Sequence, residues 1–280
     1  LVFLNFLSFS DFIFLLFFIF PFNFLYSYND TDTHPDLTVE IVKLYNLQSP
    51  QNKLSPEEME LIRQGSILED TPPRWITHFY NPETGEGWTA DNLTGFSQEK
   101  VQRFSNWFFS SEPPVSSLNW AHNQELQNKY SLYQGNHTFQ KAVYDYAIGK
   151  KDQGLMSLGY LLHLIEDVSV PDHTRDDTHA DLSSLSKNDV DRGSPYENWA
   201  EDYTRNHNLS IAEDLNSQNK KYYKCGDFDD CLKQLASYSH YNFFSEDTIF
   251  EFNRPQIYKE KMIFSDSNLV VKHYFDERGN

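Results

Sequence analysis

Residues 155–168 are apolar on nearly every side, with no charged side chain until Glu166 and Asp167 at the end of the stretch. A helix with that pattern has no face for water and belongs at the centre of a packed core. It requires other helices around it, and it carries His163 and Asp167 into the interior they make. Four residues apart on a helix, these two side chains point the same way, with Cβ atoms about 5–6 Å apart. An imidazole and a carboxylate at that separation can share one metal ion. Glu166 is three residues from His163 and shares its face less fully, so Asp167 is the preferred partner. The same spacing also suits a buried His–Asp pair that only holds the core together. An unmatched carboxylate is costly to bury in such a helix. His173 and His179 follow at once in the segment LGYLLHLIEDVSVPDHTRDDTH, residues 158–179. Pro171 should end the central helix, because the residue before a proline is pushed towards extended geometry. The turn can then bring His173 back beside the first pair.

Helix signals dominate the rest of the chain. Ser55-Pro56-Glu57-Glu58 is a capping box with proline at the first helical position, and Gly65 is the expected stop. Residues 97–109 form an amphipathic stretch, and 126–148 read as one long helix ended by Gly149. Ser194-Pro195-Tyr196-Glu197 is a second capping box and opens a helix to about Arg205. Two or three further helices should fill 229–275, the last over 268–275. Residues 69–96 hold proline, glycine, asparagine and threonine at loop density and should be irregular. No sustained period-two alternation occurs, so strands should be few. The expected fold class is all-α, a single multi-helix domain over residues 28–280. Residues 1–27 precede it as a signal peptide or an N-terminal membrane anchor. Their unbroken apolar run, 12–20, is short for a membrane span and suits a signal-peptide core, although no Lys or Arg occurs before Lys43.

Acidic residues outnumber basic ones 41 to 23, for a formal net charge of -18. That balance disfavours broad binding to nucleic-acid backbone, which needs clustered cations to displace counterions. It suits metal binding, because carboxylates are hard anionic ligands. Cys225 and Cys231, in CGDFDDC, read either as a small disulfide loop in an exported protein or as two free thiols.

The spacing H-x3-D-x5-H, with Pro171 two residues before the last histidine, resembles the zinc-dependent phospholipase C family. The related three-zinc single-strand nucleases share this helix-turn pattern. Thr77-His78-Phe79-Tyr80-Asn81-Pro82, followed by Gly85, resembles the His-Phe-Tyr-Asp-Pro loop of the phospholipases. Asp70, ahead of Pro72, sits where the family places an acidic ligand. Ser194-Pro195-Tyr196-Glu197-Asn198 resembles the Tyr-Glu-Asn helix start whose Glu is a zinc ligand. His34, just before an early helix, resembles the N-terminal histidine ligand. The order and rough spacing hold from His34 to Glu197.

The resemblance implies two or three Zn2+ ions. The first would use Asp70, His78, His163 and Asp167; the second His173 and Glu197; the third His34, with Asp167 bridging. Two departures stand out. The family has a histidine four residues before the Glu ligand, where this chain has Gly193. His179 is a candidate substitute, or else a solvent-exposed loop histidine. Glu197 can also be read as the third residue of its capping box. Family members with the third zinc use an N-terminal Trp, and no Trp occurs here before Trp75.

The implied activity is phosphodiester hydrolysis by a phospholipase C, releasing diacylglycerol from phospholipid at a membrane surface, with Asp70 as catalytic base or water-orienting group. The alternatives are a single-strand nuclease, less in keeping with the acidic charge, and a catalytically impaired zinc-stabilised binding protein, which Gly193 favours. Arg175 could steady a phosphate or form a surface salt bridge, and Trp75, Phe79 and Tyr80 could line a headgroup pocket. No protein partner is implied. The expected location is secreted or periplasmic, or anchored through the N-terminal segment.

Overall fold

The structure is a computed structural model that describes residues 33–71, 74–89, 115–129, 135–177, 179, 194–218, 225–243, 245, 259–264 and 270–275, the last two by backbone alone. The expected leader, the amphipathic stretch 97–109 and Gly193 lie outside the described residues. Ten α-helices occur among them: α1 Thr33–Gln48, α2 Pro56–Glu69, α3 Ser117–His122, α4 Gln124–Lys129 and α5 Phe139–Ala147. The others are α6 Lys151–Asp167, α7 Pro171–Arg175, α8 Pro195–Asn206, α9 Ile211–Ser217 and α10 Phe228–Asn242. Two strands, β1 Lys259–Phe264 and β2 Val270–Phe275, pair antiparallel with Lys259 opposite Phe275 and Phe264 opposite Val270. The fold class is all-α, with this one ribbon added. The helix expected over 268–275 is therefore strand, in keeping with the β-branched and aromatic composition of VVKHYF.

The apolar stretch is the middle of α6, which packs on α2 and α5 and is flanked by α1, α3 and α10. Its Tyr160, Leu161, Leu164 and Val168 are buried, and most of them join Trp75, Ile76, Trp120 and Leu232 in the main core cluster. Gly149, at φ 87°, ends α5 and turns the chain into α6. The single helix expected over 126–148 is two, α4 and α5. Gly135, at φ 84°, lies between them, and Thr138 caps the second by accepting from the Lys141 amide.

The capping box at Ser55 forms in both directions: the Glu58 amide donates to Ser55 Oγ, and the Ser55 amide donates to the Glu58 carboxylate. Gly65 does not stop α2, which runs on to Glu69. It is a contact instead. A Cβ on Gly159 of α6 would overlap the Ile62 carbonyl oxygen and come within 2.8 Å of Gly65 Cα and Ser66 N. One on Gly65 would overlap the Met156 carbonyl oxygen and sit 3.0 Å from Gly159 Cα. The two helices thus cross backbone to backbone, and their C-terminal ends converge.

Past α2 the described residues up to 89 form one 3-10 turn, Arg74–Thr77, and no further helix or strand. Residues 78–80 are pinned on both sides: the Tyr80 amide donates to His173 O and the Ser117 amide to Phe79 O, each at 2.9 Å. α6 ends at Asp167. Pro171 then opens α7 at its first position, following Val170 in extended geometry. Cys225 and Cys231 form a disulfide across the start of α10. Among the described residues no helix is long and apolar enough to cross a membrane.

Candidate metal centre

Asp167 is the hub. Its Oδ2 lies 2.8 Å from His78 Nδ1 and 3.2 Å from His163 Nε2, while its Oδ1 lies 3.3 Å from His34 Nε2 and 3.9 Å from His173 Nε2. Its two oxygens therefore face different sets of imidazoles. Each of the four imidazoles arrives on a separate part of the chain: His34 on α1, His78 after the 3-10 turn, His163 on α6 and His173 on α7. His34 is the second residue of α1, inside the helix rather than before it, and its ring stacks on His163 at 3.8 Å between centroids. Asp70 caps the C-terminus of α2, and the 3-10 turn reverses the chain to bring His78 back, with Nδ1 3.9 Å from Asp70 Oδ1.

The second half of the site forms where α7 meets α8. His173 Nε2 is 3.3 Å from Glu197 Oε1, and His179 Nε2 is 3.2 Å from Glu197 Oε2. Both histidines turn Nδ1 to a backbone carbonyl, His173 to His78 O at 3.5 Å and His179 to Asp177 O at 2.8 Å. A backbone carbonyl on one ring nitrogen fixes the tautomer that leaves the other as an electron-pair donor. The Glu197 amide donates to Ser194 Oγ, so the serine half of the second capping box forms while the Glu197 carboxylate faces the histidines.

Three groups of side chains have ligand atoms within 4.8 Å of one another: His34, His163 and Asp167; Asp70, His78 and His163; and His173, His179 and Glu197. All eight residues singled out in the sequence fall in one buried region, none more than 8% exposed. His179 is no exposed loop histidine.

Electrostatics separate six of these side chains. Burial opposes the imidazolium of His34, but its hydrogen bonds to Asp167 and Glu166 outweigh it and raise its pKa to about 10. His78 reaches about 10 against the same burial, through the charge of Asp167, and His179 about 10 through Glu197. Burial drives His163 the other way, to about 3, reinforced by the charge on His34. Burial also works against the Asp167 and Glu197 carboxylates, yet the neighbouring histidines hold both well below the usual range. Without a cation the cluster balances itself by protonating imidazoles around ionised carboxylates.

The residues fit a metal by a separate observation. Both ring nitrogens of His78 and of His163 are buried without a well-aligned hydrogen bond. A buried nitrogen left in that state costs about 1–3 kcal/mol, which a coordinated cation would relieve. Imidazole and carboxylate together are also the donor set that zinc takes.

Two acidic residues outside the sequence-derived set belong to the site. Fully buried Glu69 lies 3.6 Å from His78 Nε2, accepts from Trp120 Nε1 at 2.7 Å, and is paired with Arg74 at 2.6 Å. The Arg74 guanidinium is itself sandwiched between the Trp120 and Tyr160 rings. Glu166 sits behind His34. The signal for Glu69 was a carboxylate next to Asp70, with an arginine five residues on.

Arg175 Nε donates to Phe243 O at 3.0 Å and its Nη2 to His240 O, closing the end of α10. Trp75, Phe79 and Tyr80 are buried in the main core cluster, and the Phe79 ring stacks on His173 at 4.7 Å. His122, His137, His207 and His240 are taken up elsewhere, by Asp229, Ser157, Tyr203 and Thr174 respectively.

Fold and site define a helical protein with a buried histidine–carboxylate cluster that could hold metal ions. No protein-family profile matches the sequence, and no curated protein does. Among solved structures the chain is similar to the alpha-toxin from Clostridium absonum, at 17% identity and a TM-score of 0.42, covering 77% of this chain and 55% of that one. It is also similar to a Clostridium perfringens alpha-toxin isolated from an avian strain, at 16% identity and a TM-score of 0.30, covering 77% and 61%. The chain thus spans little more than half the length of either neighbour.

Proposed function

We propose that the chain is a zinc-dependent phosphodiester hydrolase of the phospholipase C type. The observation that carries this reading is the split carboxylate of Asp167, whose two oxygens face separate imidazole sets. A bridging carboxylate is the means by which adjacent cations are held a few ångströms apart, the arrangement that clamps a phosphodiester in hydrolysis. Asp70, His78, His163 and Asp167 would hold one ion, and His173, His179 and Glu197 a second. His34 with Asp167 would hold a third. When bound, the ions would supply positive charge to the phosphoryl oxygens and lower the pKa of a coordinated water.

The chain's own residues set the geometry for that chemistry. Asp70, at the end of α2, orients the attacking water or accepts its proton. His179 takes the place of the histidine that the family pattern has at Gly193. Glu69 and Arg74 keep His78 from rotating.

Phospholipid is the preferred substrate. Tyr196, Trp199 and Tyr203 are 41%, 59% and 44% exposed on α8, the helix that begins beside Glu197. Trp and Tyr rings are favoured at a membrane–water interface. The same ladder, with Trp199 and Tyr203 stacked at 5.5 Å, favours a second reading, because bases also stack on exposed aromatics. Residues 1–27 as leader or anchor, the domain over 28–280, and export from the cell belong to the proposal. The Cys225–Cys231 disulfide supports an oxidising compartment.

The test is made on purified protein loaded with zinc. Diacylglycerol release from phosphatidylcholine vesicles is the expected result. Cleavage of single-stranded DNA without lipid hydrolysis would replace it with the nuclease, and bound zinc without either activity would leave a binding protein.

A further inference from the structure

Glu166 shares less of His163's face than Asp167 does, and it points elsewhere. Its Oε2 lies 2.7 Å from His34 Nδ1, and its Oε1 accepts from Thr38 Oγ1 at 2.7 Å. His34 and Thr38 are four apart on α1 and so lie on one face of that helix. The Glu166 carboxylate, 5% exposed, is held between them. His34 in turn presents Nε2 to Asp167 and stacks its ring on His163.

We infer that Glu166 is a positioning residue for His34: it holds the imidazole by Nδ1 so that Nε2 is the ligand atom offered at the Asp167 side of the cluster, and Thr38 holds Glu166. This rests on the proposed metal function and assigns a residue that the function itself does not use. The chemistry is that of a carboxylate–histidine–metal relay, in which an outer carboxylate fixes the tautomer, fixes the ring plane and raises ligand basicity. The two carboxylates that end α6 then divide the work. Asp167 faces the cluster directly. Glu166, one residue earlier and about 100° around the helix, reaches α1 instead. His34 is the candidate ligand contributed by α1, and Glu166 ties that helix to the end of α6 through His34 and Thr38.

The effect should be confined to one ion. Outer carboxylates of this kind change affinity by about 10–100-fold. Full-length wild type, Glu166→Gln, Thr38→Val and His34→Ala are each titrated with zinc against a chromophoric chelator, with elemental analysis after dialysis and circular dichroism as the fold control. In the expected result, Glu166→Gln weakens the same single ion that His34→Ala removes, by about 10-fold or more, and leaves the others unchanged. Thr38→Val, nearly isosteric, weakens that ion by a smaller factor and keeps the proposal testable if Glu166→Gln does not fold. A Glu166→Gln or Thr38→Val titration that superposes on wild type overturns the positioning role. A uniform loss across all ions overturns it too, in favour of a purely structural clamp. Wild type that binds no zinc defeats the metal reading itself, a result distinct from either.

Discussion

The crossing of α2 and α6 at Gly65 and Gly159 gives the sharpest test of how the fold positions the site. In Gly159→Ala the new Cβ would stand 2.0 Å from the Ile62 carbonyl oxygen and 2.8 Å from Gly65 Cα and Ser66 N. Carbon pairs rest at about 3.5–4.0 Å, so the helices must part by at least about 1 Å. On propensity alone the substitution favours the helix by about 1 kcal/mol. Overpacking of a tight contact costs about 1–3 kcal/mol, leaving a net loss of up to about 2 kcal/mol. In a domain of this size that corresponds to a fall in Tm of up to roughly 8 °C.

The larger effect falls on the site. Asp70 follows the last residue of α2, and His163 lies one turn beyond Gly159 on α6. Metal–ligand distances tolerate only about 0.2 Å. Parting the helices by several times that should weaken the ion between Asp70, His78 and His163 by at least about 10-fold. Thermal melts and zinc titration measure both effects. Gly226→Ala is the control, because a Cβ there meets nothing nearer than Asp230 Oδ2 at 3.6 Å. A Gly159→Ala protein that melts at or above wild type with its full zinc complement would refute the reasoning.

Other outcomes follow from the same geometry. Asp167→Asn should lose zinc from more than one position, since both its oxygens face imidazoles; elemental analysis showing the wild-type content would remove Asp167 from the hub. His179→Ala should lose about one equivalent while the ion at Asp70 and His78 stays, and an unchanged count would mean that another residue completes the group with His173 and Glu197. The response to pH should differ with and without metal. His34, His78 and His179 are raised from 6.5 to about 10, so their contribution to the metal-free fold is complete below pH 6.5 and lost as pH rises through 10. Asp167 and Glu197 are lowered, so theirs is complete above their ordinary values of 3.8 and 4.5 and lost on acidification. His163 is lowered to about 3, so its own contribution is complete above 6.5 and falls on acidification, and the metal-free protein should therefore be most stable near pH 6.5. Zinc requires neutral imidazoles, so the gap in Tm between zinc-loaded and chelator-treated protein should widen from pH 6 to pH 9. A gap that narrows over that range would contradict the assignment.

Where sequence reading worked, the cause was local. The 155–168 stretch had to be buried, and the i,i+4 spacing of His163 and Asp167 had to put both on one face. Ser55 and Glu58 cap a helix by contacts three residues apart. Failures came where distant contacts decide. Gly65 looked like a stop because glycine is poor in helices, but its reason is an absent side chain opposite Gly159. Glu166 looked like the lesser of two acids because only its own helix could be considered; its partners are on α1, about 130 residues away in sequence. For Arg175 the sequence leaves a phosphate or a surface salt bridge open, and its backbone acceptors at Phe243 and His240 lie about 65 residues away. The ribbon at 259–275 was missed because VVKHYF is short and lacks clean alternation.

The complete shielding of His34, His78 and His163 has a kinetic consequence. An ion bound to these nitrogens would exchange with solvent only as the surrounding helices open, α1 among them, whose His34 ring stacks on His163. The order in which a sample folds and meets zinc, as much as its buffer, would then influence how fast its metal content settles.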